Sequence, residues 1–165
     1  MQHVFWLRKG KIAGRSGPDS DTWDLSELKS NGITSILSVN NGESVHETVL
    51  YKLGINYSNI PMTSNAPPRD GDRELCLQNL PRAMEYIRKN LINGPVLIHC
   101  HSGKDRTGMV MAAYLMEFEG FDVKGAMEEV IAVRPVAFSA EGWMEFVFDV
   151  LGLYMKYIKH RKVDA

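Results

Sequence analysis

The most constraining feature of this chain is the stretch 96–118, where an apolar segment, a glycine-containing loop and a second apolar segment follow one another. Residues 96–98 (Val-Leu-Ile) come directly after Gly94-Pro95 and predict a short, buried parallel strand that ends at His99. Residues 109–118 are almost wholly apolar, as expected of a helix packed in the centre of a domain. The stretch therefore predicts a strand, a loop and a helix N-terminus in succession.

The rest of the chain alternates between helical and extended patterns, which is typical of an α/β domain. Asp24-Leu25-Ser26-Glu27 has the residue types of a helix capping box. Pro81 stands inside a helical pattern and predicts a break there. The predicted elements are helices over 24–32, 44–54 and after residue 72, strands over 33–39 and 55–60, a helix capped by Asp122 that runs to Arg134, and a last helix capped by Ser139.

Length and composition favour one globular domain that spans residues 1–165. The chain has 165 residues, of which 44% are hydrophobic, and this is enough for a sizeable core. A net charge of −1 without a basic stripe argues against a nucleic-acid partner. We see no signal peptide and no apolar run of membrane-spanning length, so we expect no stable membrane insertion. Two cysteines fit a reducing compartment, which predicts a cytoplasmic protein.

The 100–106 loop combines the parts of an anion site with a nucleophile. Its amides, together with the first amides of the following helix, have no intrahelical partner and can converge on a phosphate-sized dianion. Gly103 permits the turn, and Arg106 adds a fork of donors that can hold two oxygens at once. The same positive field favours the thiolate of Cys100, which could attack phosphorus. The hydroxyl of Thr107 could donate to the sulfur.

The other side chains of the loop leave alternatives open. His99 either supports the Cys100 thiolate by hydrogen bonding or merely ends the strand. His101 and Lys104 either contact substrate or face solvent. The amides expected to surround the phosphate belong to His101, Ser102, Gly103, Lys104, Asp105 and Arg106. The histidines show no metal-ligand spacing, so neither a metal nor another cofactor is expected.

Residues 99–108, His-Cys-His-Ser-Gly-Lys-Asp-Arg-Thr-Gly, resemble the signature of cysteine-dependent protein tyrosine and dual-specificity phosphatases. The stretches 5–14, 28–39, 60–68 and 134–135 resemble parts of small atypical dual-specificity phosphatases. The resemblance implies a central, mostly parallel sheet with helices on both faces. It also implies hydrolysis of phosphomonoesters through a phosphocysteine, with Cys100 as the nucleophile. Arg106 would bind phosphate and stabilise the transition state, while Thr107 would assist departure of the thiolate.

The chain departs from this family where the general acid is expected. Relatives place an Asp three residues before a Pro-Pro pair, and here that position is Ser64. Asp70 could donate the proton from the far end of the same loop, whereas Asp72 is expected rather to cap the following helix. Asp105 could donate it from within the signature, as suggested for related phosphoinositide phosphatases. The third alternative is that no residue acts as a general acid.

Three functions remain open at this point. The first is a phosphatase that acts on phosphotyrosine proteins, with phosphoserine and phosphothreonine as further substrates. The second is a phosphatase for phosphoinositides or other small phosphomonoesters, which the positive charge of Lys104 and the Lys-Asp-Arg triplet favour. The third is a phosphate-binding module with little turnover, which the serine at position 64 favours. Cys76 lies on the apolar side of a predicted helix and is expected to be a packed core thiol.

Overall fold

A computed structural model of the protein describes residues 1–164 as a five-stranded sheet with helices on both faces. The strands are β1 (Phe5–Arg8), β2 (Ile12–Arg15), β3 (Ser35–Ser38), β4 (Asn56–Asn59) and β5 (Val96–His99). The helices are α1 (Leu25–Ser30), α2 (Glu47–Lys52), α3 (Asp72–Asn90), α4 (Asp105–Glu119), α5 (Val123–Val133) and α6 (Trp143–Asp164), with a short 3₁₀ turn at Gly42–Ser44. The predicted α/β class is confirmed.

The order of the strands places β5 in the middle of the sheet. The order is β1-β2-β5-β3-β4, with β1 antiparallel to β2 and all other neighbours parallel. His99, the last residue of β5, pairs with Arg15 of β2 on one side and with Ser38 of β3 on the other. Parallel strands expose their carboxyl ends at one edge, where α/β proteins bind ligands. The 100–106 loop therefore leaves the sheet at the centre of that edge.

Alternating side chains of β5 divide the interior into two cores. Val96 and Ile98 belong to the larger core, which α3, α4, α5 and α6 cover. Leu97 belongs to the smaller core on the opposite face, which α1 and α2 cover. This alternation is the period of two that a strand imposes on its side chains. Because both faces of β5 are covered, every residue of the strand is buried.

Two of the predicted helix caps are confirmed by side-chain hydrogen bonds. The carboxylate of Asp24 accepts a bond from the Glu27 amide at 2.9 Å at the start of α1. The carboxylate of Asp122 accepts one from the Gly125 amide at 2.7 Å at the start of α5. Each carboxylate satisfies an amide that has no partner within its helix.

Two other local predictions are wrong. Helix α3 continues without interruption through Pro81, because the buried neighbours Leu80 and Ala83 fasten the helix to the larger core on either side of it. Ser139 does not cap α6, which begins at Trp143. The hydroxyl of Ser139 instead accepts a hydrogen bond from Lys104 at 3.2 Å. No helix within residues 1–164 is long and apolar enough to cross a membrane.

Candidate active site

The turn from β5 to α4 brings two of the predicted residues, Cys100 and Thr107, together. Cys100 follows the last residue of β5 and is buried at the base of the 100–106 loop. Thr107, in the first turn of α4, is fully buried, and its hydroxyl donates to the Cys100 sulfur at 3.1 Å. A thiolate in this place would accept a hydrogen bond from the hydroxyl. It would also be stabilised by the partial positive charge of the helix N-terminus. The contact expected from the spacing of Cys100 and Thr107 is present.

The backbone of the loop leaves amides free for an anion. Within residues 1–164, the amides of residues 101–104 donate no hydrogen bond to another protein group. Gly103 has a φ of +65°, and a Cβ there would lie 2.6 Å from the carbonyl carbon of Arg15. Only glycine allows the loop to turn this closely against the end of β2. Uncommitted amides on a loop next to a buried sulfur are able to bind a tetrahedral anion.

Arg134 holds the outer side of this loop, a role that the sequence did not reveal. Its guanidinium donates to the carbonyl of Gly103 at 3.2 Å and to that of Ser102 at 3.0 Å, and it lies over the ring of Phe5. These two bonds fix the orientation of the Ser102 and Gly103 carbonyls. Arg134 is 31 residues from Gly103 in the chain, and no short-range pattern signals such a contact.

His99 acts on the backbone of Cys100 rather than on its sulfur. One ring nitrogen, Nδ1, lies 3.0 Å from the Cys100 carbonyl, and the other, Nε2, lies 2.5 Å from the Ser38 hydroxyl. Burial lowers the pKa of His99 to about 4, so the ring is neutral near pH 7. Nδ1 therefore carries the proton and donates to the carbonyl, while Nε2 accepts from Ser38. The hydroxyl of Tyr57, 2.6 Å from that of Ser38, extends the network.

Arg106 lies against the loop that follows β4. Its Nε donates to the carbonyl of Thr63 at 2.8 Å, and its Nη2 donates to the carbonyl of Ser64 at 2.6 Å. The guanidinium carbon lies 4.7 Å from the centre of the Trp143 ring. A planar cation held by two carbonyls and an aromatic face has a defined orientation.

Asp72 fastens this loop instead of capping α3. Its carboxylate accepts bonds from the side chain of Asn65 at 3.0 and 3.2 Å and from the amide of Arg69 at 2.6 Å. Burial by itself would raise the pKa of Asp72, but the hydrogen bonds from Arg69, Asn65 and Thr63 outweigh it and lower the pKa below its usual value. Asp72 is therefore ionised at neutral pH, and the predicted cap on α3 is absent: within residues 1–164, no side-chain hydrogen bond caps the start of the helix.

The two candidate acids occupy different environments. Asp70 is exposed in the turn before α3 and lines a surface groove with Arg73, Phe146 and Asp149, without any residue of the 100–106 loop. Asp105 is buried at the start of α4, and its carboxylate lies 3.4 Å from the amide of Ala140. Ser64 is exposed, and its bond to Arg106 comes from the main chain. Proton donation by Asp70 would require its turn to move towards the loop.

The remaining candidate residues lie at the rim or in the core. His101 is exposed, with Nδ1 3.2 Å from the hydroxyl of Ser102. Lys104 reaches across to Ser139. Cys76 is buried in α3, where burial raises the pKa of its thiol to about 11, as expected of a core thiol. Neither Cys76 nor Cys100 forms a disulfide.

Comparison with known proteins identifies the family. The family described as "PTP-SAK: Swiss Army Knife protein, DSP-PTPase phosphatase domain" matches residues 1–142. The chain belongs to this DSP-PTPase family. Dual specificity protein phosphatase 12 of Rattus norvegicus is 26% identical over 149 residues, which cover 88% of this chain and 40% of the relative. Dual specificity protein phosphatase 22-A of Danio rerio is 32% identical over 116 residues, which cover 69% of this chain and 50% of the relative.

The fold of this DSP-PTPase chain agrees with that of solved phosphatases. Human DUSP28 superimposes with a TM-score of 0.74 at 19% identity, covering 96% of this chain and 97% of the other. A mouse putative dual specificity phosphatase complexed with zinc tungstate gives a TM-score of 0.76 at 18% identity, covering 99% and 92%. At these identities the likeness concerns the fold. The chain spans about half the length, or less, of the curated relatives that it matches.

Proposed function

We propose that this domain, taken as residues 1–165, hydrolyses phosphomonoesters through a phosphocysteine and acts on phosphotyrosine proteins, with phosphoserine and phosphothreonine as further substrates. The observation that carries the proposal is the 100–106 loop, in which the unbonded amides of residues 101–104 directly follow a buried cysteine that accepts a hydrogen bond from Thr107. Membership of the DSP-PTPase family supports the same chemistry.

In the first step, the thiolate of Cys100 attacks phosphorus in line with the ester oxygen. A sulfur–phosphorus bond forms, and the phosphorus–oxygen bond breaks, with its electron pair going to the departing alcohol or phenol. The loop amides and Arg106 stabilise the negative charge on the three equatorial oxygens. In the second step, water attacks phosphorus and gives up a proton to solvent, so that a phosphorus–oxygen bond forms and the sulfur–phosphorus bond breaks. The sulfur leaves as a thiolate that the Thr107 hydroxyl stabilises. Inorganic phosphate is released without a metal or another cofactor.

The proton for the leaving group has two candidate donors in this chain. Asp105 is adjacent to Arg106 but is buried against Ala140. Asp70 is exposed in the turn before α3, and the groove that it lines contains no residue of the 100–106 loop. Because neither carboxylate is held towards the sulfur, we propose that esters with acidic leaving groups, such as aryl phosphates and phosphotyrosine, react fastest.

The test is hydrolysis of an aryl phosphate by purified protein in the presence of a metal chelator. We expect turnover that vanadate inhibits, and phosphorus NMR of acid-quenched protein should show a thiophosphate ester on Cys100. The variant Cys100→Ser should retain binding of inorganic phosphate and lose turnover by at least about a hundredfold, because a serine hydroxyl is not ionised at neutral pH. Binding without turnover in the unmodified protein would instead identify a phosphate-binding module.

A second candidate substrate class is the phosphoinositides or other small phosphomonoesters. Lys104 places a positive charge at the rim of the loop, and phosphatidylglycerophosphate phosphatase PTPMT2 of Arabidopsis thaliana is 29% identical over 114 residues. Parallel assays on a phosphotyrosine peptide, a phosphothreonine peptide and a short-chain phosphoinositide separate the two classes. A kcat/KM for the lipid that exceeds the peptide values would decide for the second class.

We propose the cytoplasm as the place of action. The nucleophile of this mechanism is a free thiolate, and both cysteines of the chain are unpaired. A reducing compartment keeps such a thiol active, whereas an oxidising one removes it from the reaction.

A further inference from the structure

Asn65 is fastened at two points outside the 100–106 loop. Its side-chain amide donates to both carboxylate oxygens of Asp72, at 3.0 and 3.2 Å. Its carbonyl accepts a bond from the indole nitrogen of Trp143 at 2.9 Å. Trp143 is fully buried at the start of α6, and Asp72 is buried at the start of α3. Two long helices therefore hold this residue in place.

The two carbonyls that precede Asn65 are the ones that Arg106 contacts. Thr63 and Ser64 accept from Nε and Nη2 of the guanidinium, and the ring of Trp143 covers one face of it. An arginine has five N–H donors. These contacts use two of them and leave a complete Nη1–Nη2 edge, which can bind two oxygens of one anion.

From this arrangement we infer that Asn65 and Trp143 are positioning residues that orient Arg106 for the phosphate group, an inference that rests on the proposed function. Neither residue contacts the sulfur or any residue between 100 and 105 through a hydrogen bond within the described chain. They act through the carbonyls of Thr63 and Ser64. Without them, the guanidinium would have to be ordered at the moment of binding, which weakens affinity.

The experiment measures the dissociation constant of tungstate, a tetrahedral dianion, by titration calorimetry. In Asn65→Ala we expect binding about tenfold weaker than in the unmodified protein, which corresponds to one hydrogen bond to a charged group. Trp143→Phe keeps an aromatic face for Arg106 but loses the indole donor, and it should weaken binding in the same direction. Asn93→Ala is the matched control, because Asn93 is exposed at the opposite edge of the sheet, before β5. Its dissociation constant should not change.

A second comparison separates positioning from a general loss of structure. A protein that carries Arg106→Lys has no guanidinium to orient. In that background, Asn65→Ala should change the dissociation constant of tungstate by less than about twofold. An undiminished tenfold effect there would overturn the inference, and so would unchanged or tighter binding in Asn65→Ala alone. If the unmodified protein binds tungstate and hydrolyses aryl phosphate, a negative result concerns the positioning role only. If it does neither, the proposed function fails and the inference fails with it.

Discussion

Replacement of Thr107 by valine is expected to slow the second half of the reaction more than the first. The hydroxyl of Thr107 donates to the Cys100 sulfur at 3.1 Å, and the Thr107 side chain is fully buried, so no water replaces the hydroxyl at its own position. Valine has nearly the same shape and removes only the donor. A hydrogen bond to a charged group contributes about 1.5–3 kcal/mol. At about 1.4 kcal/mol for each factor of ten, loss of this bond should reduce the rate of thiolate departure by roughly 10- to 150-fold.

The assay is rapid mixing with a chromogenic aryl phosphate, which records release of the phenol and turnover separately. In Thr107→Val, breakdown of the phosphocysteine becomes rate-limiting, so a burst of phenol should precede a slow steady state. Thr107→Ser retains the hydroxyl and should behave much like the unmodified protein. If the valine and serine variants show equal steady-state rates, the hydroxyl does not stabilise the leaving thiolate, and the role assigned to Thr107 is refuted.

Three further perturbations test other parts of the site. Arg106→Lys keeps the charge but loses the planar fork, so kcat should fall by about 10²–10³ in steady-state assays; kinetics close to those of the unmodified protein would refute a phosphate-binding role. Asp70→Asn and Asp105→Asn test the two candidate acids. The variant that removes the general acid should slow hydrolysis of alkyl phosphates much more than hydrolysis of activated aryl phosphates. If both variants lose equal activity on the two kinds of substrate, neither carboxylate donates the proton. The lowered pKa of Asp72 stabilises the fold above the ordinary carboxyl pKa of about 4, and this contribution disappears as the pH falls through the folded-state value. The difference in melting temperature between the unmodified protein and Asp72→Asn should therefore be largest near neutral pH and shrink towards pH 3, and a constant difference would contradict the assignment.

Local features of the fold were accessible from the sequence because they depend on neighbouring residues. The strand before Cys100, the helix that carries Arg106 in its first turn and the caps at Asp24 and Asp122 all follow from short patterns. The break predicted at Pro81 was wrong because the continuity of this helix does not depend on neighbouring residues alone. A proline removes one hydrogen bond locally, but the burial of its neighbours in a core built from distant segments keeps the helix continuous.

Some parts of the candidate site also follow from neighbouring residues, and others depend on distant segments. The sequence by itself determined the order of strand, loop and helix, the glycine that permits the turn, and the spacing that brings the Thr107 hydroxyl to the sulfur of Cys100. All of these lie within one continuous stretch, so backbone geometry alone brings them together.

Only the tertiary structure decided which groups surround that stretch. Placing β5 between β2 and β3 brings Ser38 to the ring of His99, 61 residues away, and packing of the helices brings Arg134 to the loop carbonyls. The contact of Arg106 with the carbonyls of Thr63 and Ser64 arises in the same manner. Hydrogen bonds between distant segments depend on strand order and helix packing, which are properties of the whole core rather than of any local pattern.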